Sequence, residues 1–163
     1  MKKNDNAVKV DSLGNAQKIT DETILQLLDG TVADLIEAPD PAFASGSMGQ
    51  GMVIYPTAGE VFAPVNGVVS MLFKTKHAIG IISNQGLNVM IHIGIDTVKL
   101  NGKYFVACVQ QGDIVQAGQL LIKFDLQSIK KAGFDPATFV IVTNSNDYQE
   151  ISLMKADKGL RCL

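Results

Sequence analysis

The sequence lacks several features that mark common classes of protein. Its two cysteines, Cys108 and Cys162, are too few for a disulfide framework, so we expect a reducing, cytoplasmic environment. The net charge is only -2, from 14 basic and 16 acidic residues, and therefore indicates no surface for nucleic acid. The motifs Gly-x-Ser-x-Gly, Cys-x-x-Cys and His-Glu-x-x-His are all missing. The chemistry must therefore be sought in other residues.

Long apolar runs are also scarce. Residues 77–95 contain no Asp, Glu, Lys or Arg, but a polar Ser-Asn-Gln-Gly segment and two histidines interrupt them. This pattern predicts two strands joined by a turn, and we do not expect the protein to span a membrane. The basic start, MKKNDNAVKV, has no apolar segment behind it, so we expect no secretory signal.

The chain does contain many short β-rich runs separated by turn residues. From Gly30 onward these include GMVIYPTAG, EVFAPVNG, AIGIISNQG, LNVMIHIG, QLLIKFD and TFVIVTNSND. Such punctuation predicts an all-β fold, an antiparallel β-sandwich or flattened barrel. We expect one or two short helices in addition. One is predicted at LQSIKKAGF, residues 126–134, where Gly133 ends it.

The first part of the chain differs in composition and pattern. Residues 1–20 are polar and aperiodic, which predicts an N-terminal tail or linker before a domain at 21–163. TDETILQLLDG, residues 20–30, is compatible with a short amphipathic helix or with an extended segment. With 47% hydrophobic residues, the chain has enough apolar material for one domain with a substantial core.

A histidine lies inside the apolar segment GLNVMIHIGIDTVKLNG, residues 86–102. Alternate strand residues point to opposite faces, so one face is aliphatic. The other face carries Met90, His92, Gly94 and Asp96. An imidazole beside a residue without a side chain and a carboxylate leaves room for an incoming group, so His92 is a candidate functional residue.

The second histidine of the chain lies in the preceding strand. SNQG between the two runs predicts a hairpin, and a turn centred on Asn84–Gln85 would place His77 directly opposite His92. Their β-carbons would then be about 4.5–5.5 Å apart. Thr75 shares the strand parity of His77, so its hydroxyl is able to hold one ring nitrogen.

Three chemistries use such a pair. Two imidazoles and Asp96 would bind zinc, as in a zinc-dependent hydrolase, although no general-base glutamate stands nearby. A swinging-lysine carrier domain would need a Met-Lys-Met triplet, which the chain lacks. In a phosphohistidine relay, one neutral imidazole attacks phosphorus and the other donates a hydrogen bond to the phosphoryl oxygens.

The histidine segments also resemble a known family. GLNVMIHIGIDTV, residues 86–98, is similar to the active-site signature of the glucose-type enzyme IIA domains of the bacterial sugar phosphotransferase system. FKTKHAIGI, residues 73–81, resembles the second-histidine segment of that family, and PTAGEVFAPVNGVV its upstream hairpin. The resemblance runs from about residue 24 to 155, although after Asn144 the final strand of the family looks weak or missing.

The resemblance implies a cytoplasmic phosphocarrier with an antiparallel β-sandwich fold and no bound cofactor. His92 would accept a phosphoryl group from the phosphohistidine of HPr and pass it to a cysteine of the enzyme IIB domain of a sugar permease. His77 would stabilise the phosphoryl group, and Thr75 would orient His77. The family also implies regulatory target proteins as further partners.

The resemblance implies a partner-binding surface around the histidines as well. Asp40 and Asp96 match acidic rim positions, and Gly94 would also belong to the partner-binding surface. The apolar docking surface would comprise Phe43, Met48, Phe73, Ile79, Met90 and Val98. No resident metal is implied; zinc would bind His77 and His92 only when a partner supplies a further carboxylate.

Overall fold

The computed structural model describes residues 7–10, 16–19, 22–24, 27–148, 151–154 and 159–162. The strands are β1 (Ala7–Val10), β2 (Ala16–Ile19), β3 (Glu22–Ile24), β4 (Gly30–Asp34), β5 (Gln50–Pro56), β6 (Glu60–Phe62), β7 (Gly67–Leu72), β8 (Ala78–Ser83), β9 (Asn88–Ile93), β10 (Phe105–Ala107), β11 (Ile114–Val115), β12 (Leu120–Phe124), β13 (Thr138–Val142), β14 (Ile151–Met154) and β15 (Gly159–Cys162). The helices are α1 (Pro41–Ala44) and α2 (Leu126–Lys131), with 3₁₀ turns at Leu35–Glu37, Thr97–Leu100 and Ser145–Asp147.

Two antiparallel sheets enclose the main core. The larger sheet has the order β11-β7-β8-β9-β13-β5-β4, and a smaller sheet has the order β10-β12-β6. Buried side chains of both sheets belong to one apolar cluster, including Val61 and Ile122 from the smaller sheet and Ile91 and Val140 from the larger one. Two sheets that share one core form a β-sandwich, so the predicted fold class is confirmed.

The larger sheet has a second, smaller apolar cluster on its other face. Because strand side chains alternate, β13 turns Val140 to the main core and Phe139 to the opposite face. Phe139 packs there with Phe43 of α1 and Leu35. The same alternation in β9 sends Ile91 into the main core and His92 to the face that α1 covers.

The helix predicted at 126–134 is present, although it is shorter. The Asp125 side chain accepts a hydrogen bond from the Ser128 N–H at 3.1 Å and so caps the start of α2. After Lys131 the chain leaves the helix, and Gly133 takes a φ of +90°, typical of a residue just beyond a helix end. No helix in the described ranges is long and apolar enough to cross a membrane.

The terminal segments contain short strands. Within residues 1–20, expected to be a tail or linker, β1 and β2 pair as an antiparallel hairpin. Residues 22–24 form strand β3, which is the extended alternative for that part of the segment 20–30. The expectation of a weak or missing final strand is wrong, because β14 pairs with β15 and β15 pairs with β3.

Candidate active site

The hairpin that carries the two histidines has a longer loop than the sequence predicted. The Ser83 N–H donates to the Leu87 carbonyl at 2.8 Å, which leaves three loop residues, 84–86. Gly86 adopts a φ of +93°, a left-handed conformation that glycine accepts readily. A three-residue loop that ends in a left-handed glycine is a common alternative to the two-residue turn. The predicted turn is therefore wrong by one residue.

The longer loop changes the register of β8 against β9. Ala78, and not His77, pairs with His92, and Ile79 pairs with Ile91. A shift of one residue in a strand sends each side chain to the other face. Had His77 been part of β8, the shift would have turned its ring away from His92.

His77 nevertheless contacts His92, because it lies in the loop that precedes β8. Lys76 has a φ of +59°, so the regular alternation of the strand is broken immediately before His77. The His77 carbonyl accepts a hydrogen bond from the Ile93 N–H at 2.7 Å, which ties this loop to the end of β9. The ring centroids of His77 and His92 are 4.9 Å apart at an interplanar angle of 87°.

Thr75 holds the His77 ring, in the contact that the sequence predicted. Thr75 Oγ1 lies 2.7 Å from His77 Nδ1, within hydrogen-bond distance. The Phe73 ring stands edge-on to the His77 ring, with centroids 5.3 Å apart. With one nitrogen bound and the side chain buried, the orientation of His77 is fixed, and its Nε2 is the nitrogen left for other partners.

His92 is held by rings on one side and by His77 on the other. Its ring centroid lies 5.1 Å from that of Phe43 and 6.2 Å from that of Phe139. His92 Nδ1 is buried and makes no hydrogen bond of ordinary geometry with the described residues. The residue as a whole is half-buried, which leaves Nε2 as the nitrogen that an incoming group meets.

Both histidines are less basic than a free imidazole. Burial, and then the neighbouring His92, lower the pKa of His77 from 6.5 to about 4. Burial also lowers the pKa of His92, while the Gly94 carbonyl, Asp40 and Asp96 act in the opposite direction. Both rings are therefore neutral at pH 7. A neutral imidazole has a free lone pair, which a nucleophile requires.

The two predicted acidic residues come from different segments near His92. Asp40 is the N-cap of α1, where its side chain accepts a hydrogen bond from the Ala42 N–H at 2.9 Å. Asp96 is exposed and has a φ of +60° at the start of the 3₁₀ turn after β9. Both carboxylates raise the pKa of His92, against the larger effect of burial.

Gly94 serves a different purpose from the one expected. It was predicted to leave a gap for an incoming group, but a β-carbon there would lie 2.4 Å from Thr97 Cγ2. The Thr97 side chain fills this space and donates a hydrogen bond from its hydroxyl to the Ile93 carbonyl. Together with its φ of +82°, this close approach explains the glycine as a packing requirement of the turn after β9.

The residues predicted to form the apolar docking surface fall into two groups. Met48, Phe73 and Val98 are 41%, 36% and 48% exposed, and Met90 is half-buried. Ile79 is completely buried, since its pairing with Ile91 turns it into the main core, so its assignment to a docking surface is wrong.

Phe43 is also displaced from the predicted surface. It is only 5% exposed and packs against Phe139 and His92. It therefore forms a wall of the site, and its assignment to an exposed docking surface is corrected. The sequence did not identify Phe139 as a site residue, because a phenylalanine in the apolar run TFVIV predicts only a buried core position. Thr97 was part of the quoted motif but received no role.

The described residues do not support a metal centre. No group of three His, Cys, Asp or Glu side chains in this part of the chain is placed to hold a metal ion. Protein zinc sites use at least three protein ligands, and the two imidazoles alone do not supply them. The zinc-dependent hydrolase considered above gains no support from this donor set.

Comparisons with known proteins agree with the geometry. Residues 22–148 match the family described as phosphoenolpyruvate-dependent sugar phosphotransferase system, EIIA 1. A glucose-specific EIIA component of Bacillus cereus is 43% identical over 85% of this chain and 84% of its own length. The glucose permease IIA structure from Mycoplasma capricolum superposes with a TM-score of 0.73 at 31% identity, over 88% of this chain and 90% of that one.

A longer relative matches as well. The β-glucoside-specific EIIBCA component of Dickeya chrysanthemi is 46% identical over 93% of this chain, which spans only 24% of that protein. The family resemblance inferred from the histidine segments is thus confirmed. The chain belongs to the EIIA 1 family of the phosphoenolpyruvate-dependent sugar phosphotransferase system.

Proposed function

We propose that this chain is a cytoplasmic phosphocarrier, with residues 21–163 as the working domain. His92 accepts a phosphoryl group from the phosphohistidine of HPr and passes it to the cysteine of an enzyme IIB domain. The observation that carries the proposal is the pair of imidazoles in edge-to-face contact, one of them fixed by the Thr75 hydroxyl. Two neutral rings with different hydrogen-bond partners suit a nucleophile and a hydrogen-bond donor.

His92 is the nucleophile. Its neutral ring carries one proton on the buried Nδ1, so the lone pair is on Nε2. This lone pair forms a new N–P bond while the N–P bond of the donor breaks, and the electron pair of that bond returns to the donor imidazole. The phosphorylated ring then bears positive charge, which the Gly94 carbonyl, Asp40 and Asp96 stabilise.

His77 is the hydrogen-bond donor. If the Thr75 hydroxyl donates to His77 Nδ1, the single proton of the neutral ring resides on Nε2. That N–H donates to a phosphoryl oxygen as the charge on the oxygens changes. In the second transfer, the cysteine reacts as a thiolate: its sulfur forms an S–P bond while the N–P bond at His92 breaks, and the electron pair of the N–P bond returns to Nε2.

Partners dock on the surface around His92. The exposed side chains of Met48, Phe73 and Val98 supply apolar contact, and Asp40 and Asp96 attract basic partner groups. An apolar centre with charges beside it suits a brief encounter, because the charges speed association while the contact area stays small.

A labelling experiment tests the proposal. The protein is incubated with HPr, enzyme I and labelled phosphoenolpyruvate, and the label on it should be acid-labile and alkali-stable. His92→Ala should take up no label while keeping its fold by circular dichroism, and Gln85→Ala in the distant hairpin loop should label normally. Label that persists in folded His92→Ala would refute His92 as the acceptor.

A further inference from the structure

Two phenylalanines from different elements meet beside His92. Phe139 lies directly across from His92 in the pairing of β13 with β9. The Phe43 ring, from α1, stacks on the Phe139 ring with centroids 4.0 Å apart and planes within 5° of parallel. The Phe43 ring is tilted by 52° against the His92 ring, with centroids 5.1 Å apart.

We propose that Phe43 and Phe139 form one positioning unit, an aromatic clamp, that holds the His92 imidazole in line with His77 for phosphoryl transfer. This inference rests on the proposed function of His92. Neither ring touches the transferred group, so both are positioning residues. A phenylalanine has two side-chain torsions, and both rings are almost completely buried, so the clamp is rigid.

The clamp adds to the weak hydrogen bonding of the His92 ring. Thr75 fixes the His77 ring by a hydrogen bond of 2.7 Å, whereas the Gly94 carbonyl acts on the His92 ring without a hydrogen bond of ordinary geometry to Nδ1 among the described residues. Ring packing therefore adds to the restraint on the rotation of His92. A displacement of about 1 Å at a reacting atom is able to reduce a rate by about 10²-fold.

The clamp also links His92 to the acidic rim. Asp40 caps α1 through its bond to the Ala42 N–H, so the short element that supplies Phe43 also places a carboxylate near the ring. The charged groups that act on His92 are Asp40 beside α1 and Asp96 after β9. His77, before β8, is its titratable ring neighbour, and β13 contributes the apolar Phe139. Apolar rings on this side keep water from one face of His92 and favour its neutral form.

A docking role for Phe43 makes a different prediction. Substitution of a residue that contacts HPr raises the concentration of phospho-HPr that gives the half-maximal rate, because binding is weaker. A positioning residue instead changes the rate of transfer at saturation, with little effect on that concentration. Phe139 is fully buried and cannot contact a partner, so it separates the two roles.

The experiment compares Phe43→Leu, Phe139→Leu and the double variant, with Phe105→Leu as the matched control. Phe105 forms a looser ring pair with Phe124, 6.3 Å apart, among side chains of the main core. Transfer from phospho-HPr is measured over a range of HPr concentrations, and the His92 pKa is measured by NMR without any phosphate donor.

We expect each single variant to lower the saturated transfer rate by about 10- to 100-fold, with the half-saturating concentration nearly unchanged. The double variant should lose little more than either single one, because the rings act together. The His92 pKa should rise towards 6.5 in all three. Phe43→Tyr, which keeps the ring, should restore the rate, and Phe105→Leu should leave both readouts unchanged.

Unchanged saturated rates and an unchanged His92 pKa in folded Phe43→Leu and Phe139→Leu would overturn the clamp. The clamp would also be overturned if Phe43→Leu raised only the half-saturating concentration of phospho-HPr while Phe139→Leu had no effect. That result would assign Phe43 to docking. If Phe139→Leu does not fold, Phe43→Leu alone decides. If even the wild type accepts no phosphate, the proposed function fails, and the NMR measurement still decides whether the rings position His92.

Discussion

The loop that carries His77 and the strand that carries His92 hold similar rings in different ways. His77 is fixed by a hydrogen bond from one side-chain neighbour, Thr75, and is almost fully buried. His92 is fixed by strand pairing and by two phenylalanine rings, and it remains half-buried. The carboxylates act on His92 and not detectably on His77. The difference teaches that two chemically identical side chains are suited to different tasks by the residues that surround them.

Substitution of His77 should have the largest effect on the difference between the two histidines. His77→Gln keeps a hydrogen-bond donor but cannot exchange a proton. We expect it to accept phosphate from HPr, but to pass it to the enzyme IIB cysteine at least about 10²-fold more slowly. Rapid-quench measurement of the two transfers separates the steps. Donation at the wild-type rate would make His77 a bystander and remove the basis for unequal roles.

Removing the support of His77 should have a smaller effect. Thr75→Val deletes the hydroxyl and retains the shape, so the His77 ring loses its fixed tautomer. Loss of one hydrogen bond predicts a decrease of about 3- to 10-fold in phosphate donation. Thr75→Ser, which keeps the hydroxyl, is the matched control. Equal rates of phosphate donation in the Val and Ser variants would show that the hydrogen bond between Thr75 and His77 does not contribute to the transfer.

The pH dependence of stability should reveal the burial of both rings. Their folded pKa values lie below 6.5, so the unfolded chain binds more protons between about pH 4 and 6.5. Stability should therefore fall as the pH decreases through this window, by at least about 1 kcal/mol. Urea unfolding of wild type and His77→Gln at several pH values measures this, and an equal slope in both would contradict a depressed His77 pKa.

The sequence predicted the sheet architecture because alternation and turn residues are local signals. It predicted the Thr75–His77–His92 contact for a partly wrong reason. A loop longer by one residue, ending in Gly86, shifted the register, and the left-handed Lys76 kept the rings together. Neither feature has a reliable signal in the sequence.

Other errors concerned side chains whose surroundings come from distant segments. Gly94 is small because Thr97 packs against it, and Ile79 is buried because its partner across the sheet is Ile91. Phe139 looked like ordinary core until α1 placed Phe43 on it. Long-range packing of this kind is decided by the fold and not by the local pattern.

We infer that the groups around His92 make its Nε2 the phosphate acceptor. The most direct test is NMR of the protein labelled with ¹⁵N-histidine and phosphorylated through HPr, in which coupling between ¹⁵N and ³¹P identifies the bonded nitrogen. We expect one phosphohistidine, with phosphorus on Nε2 of His92 and His77 unmodified. Phosphorus on His77, or on Nδ1 of His92, would contradict it.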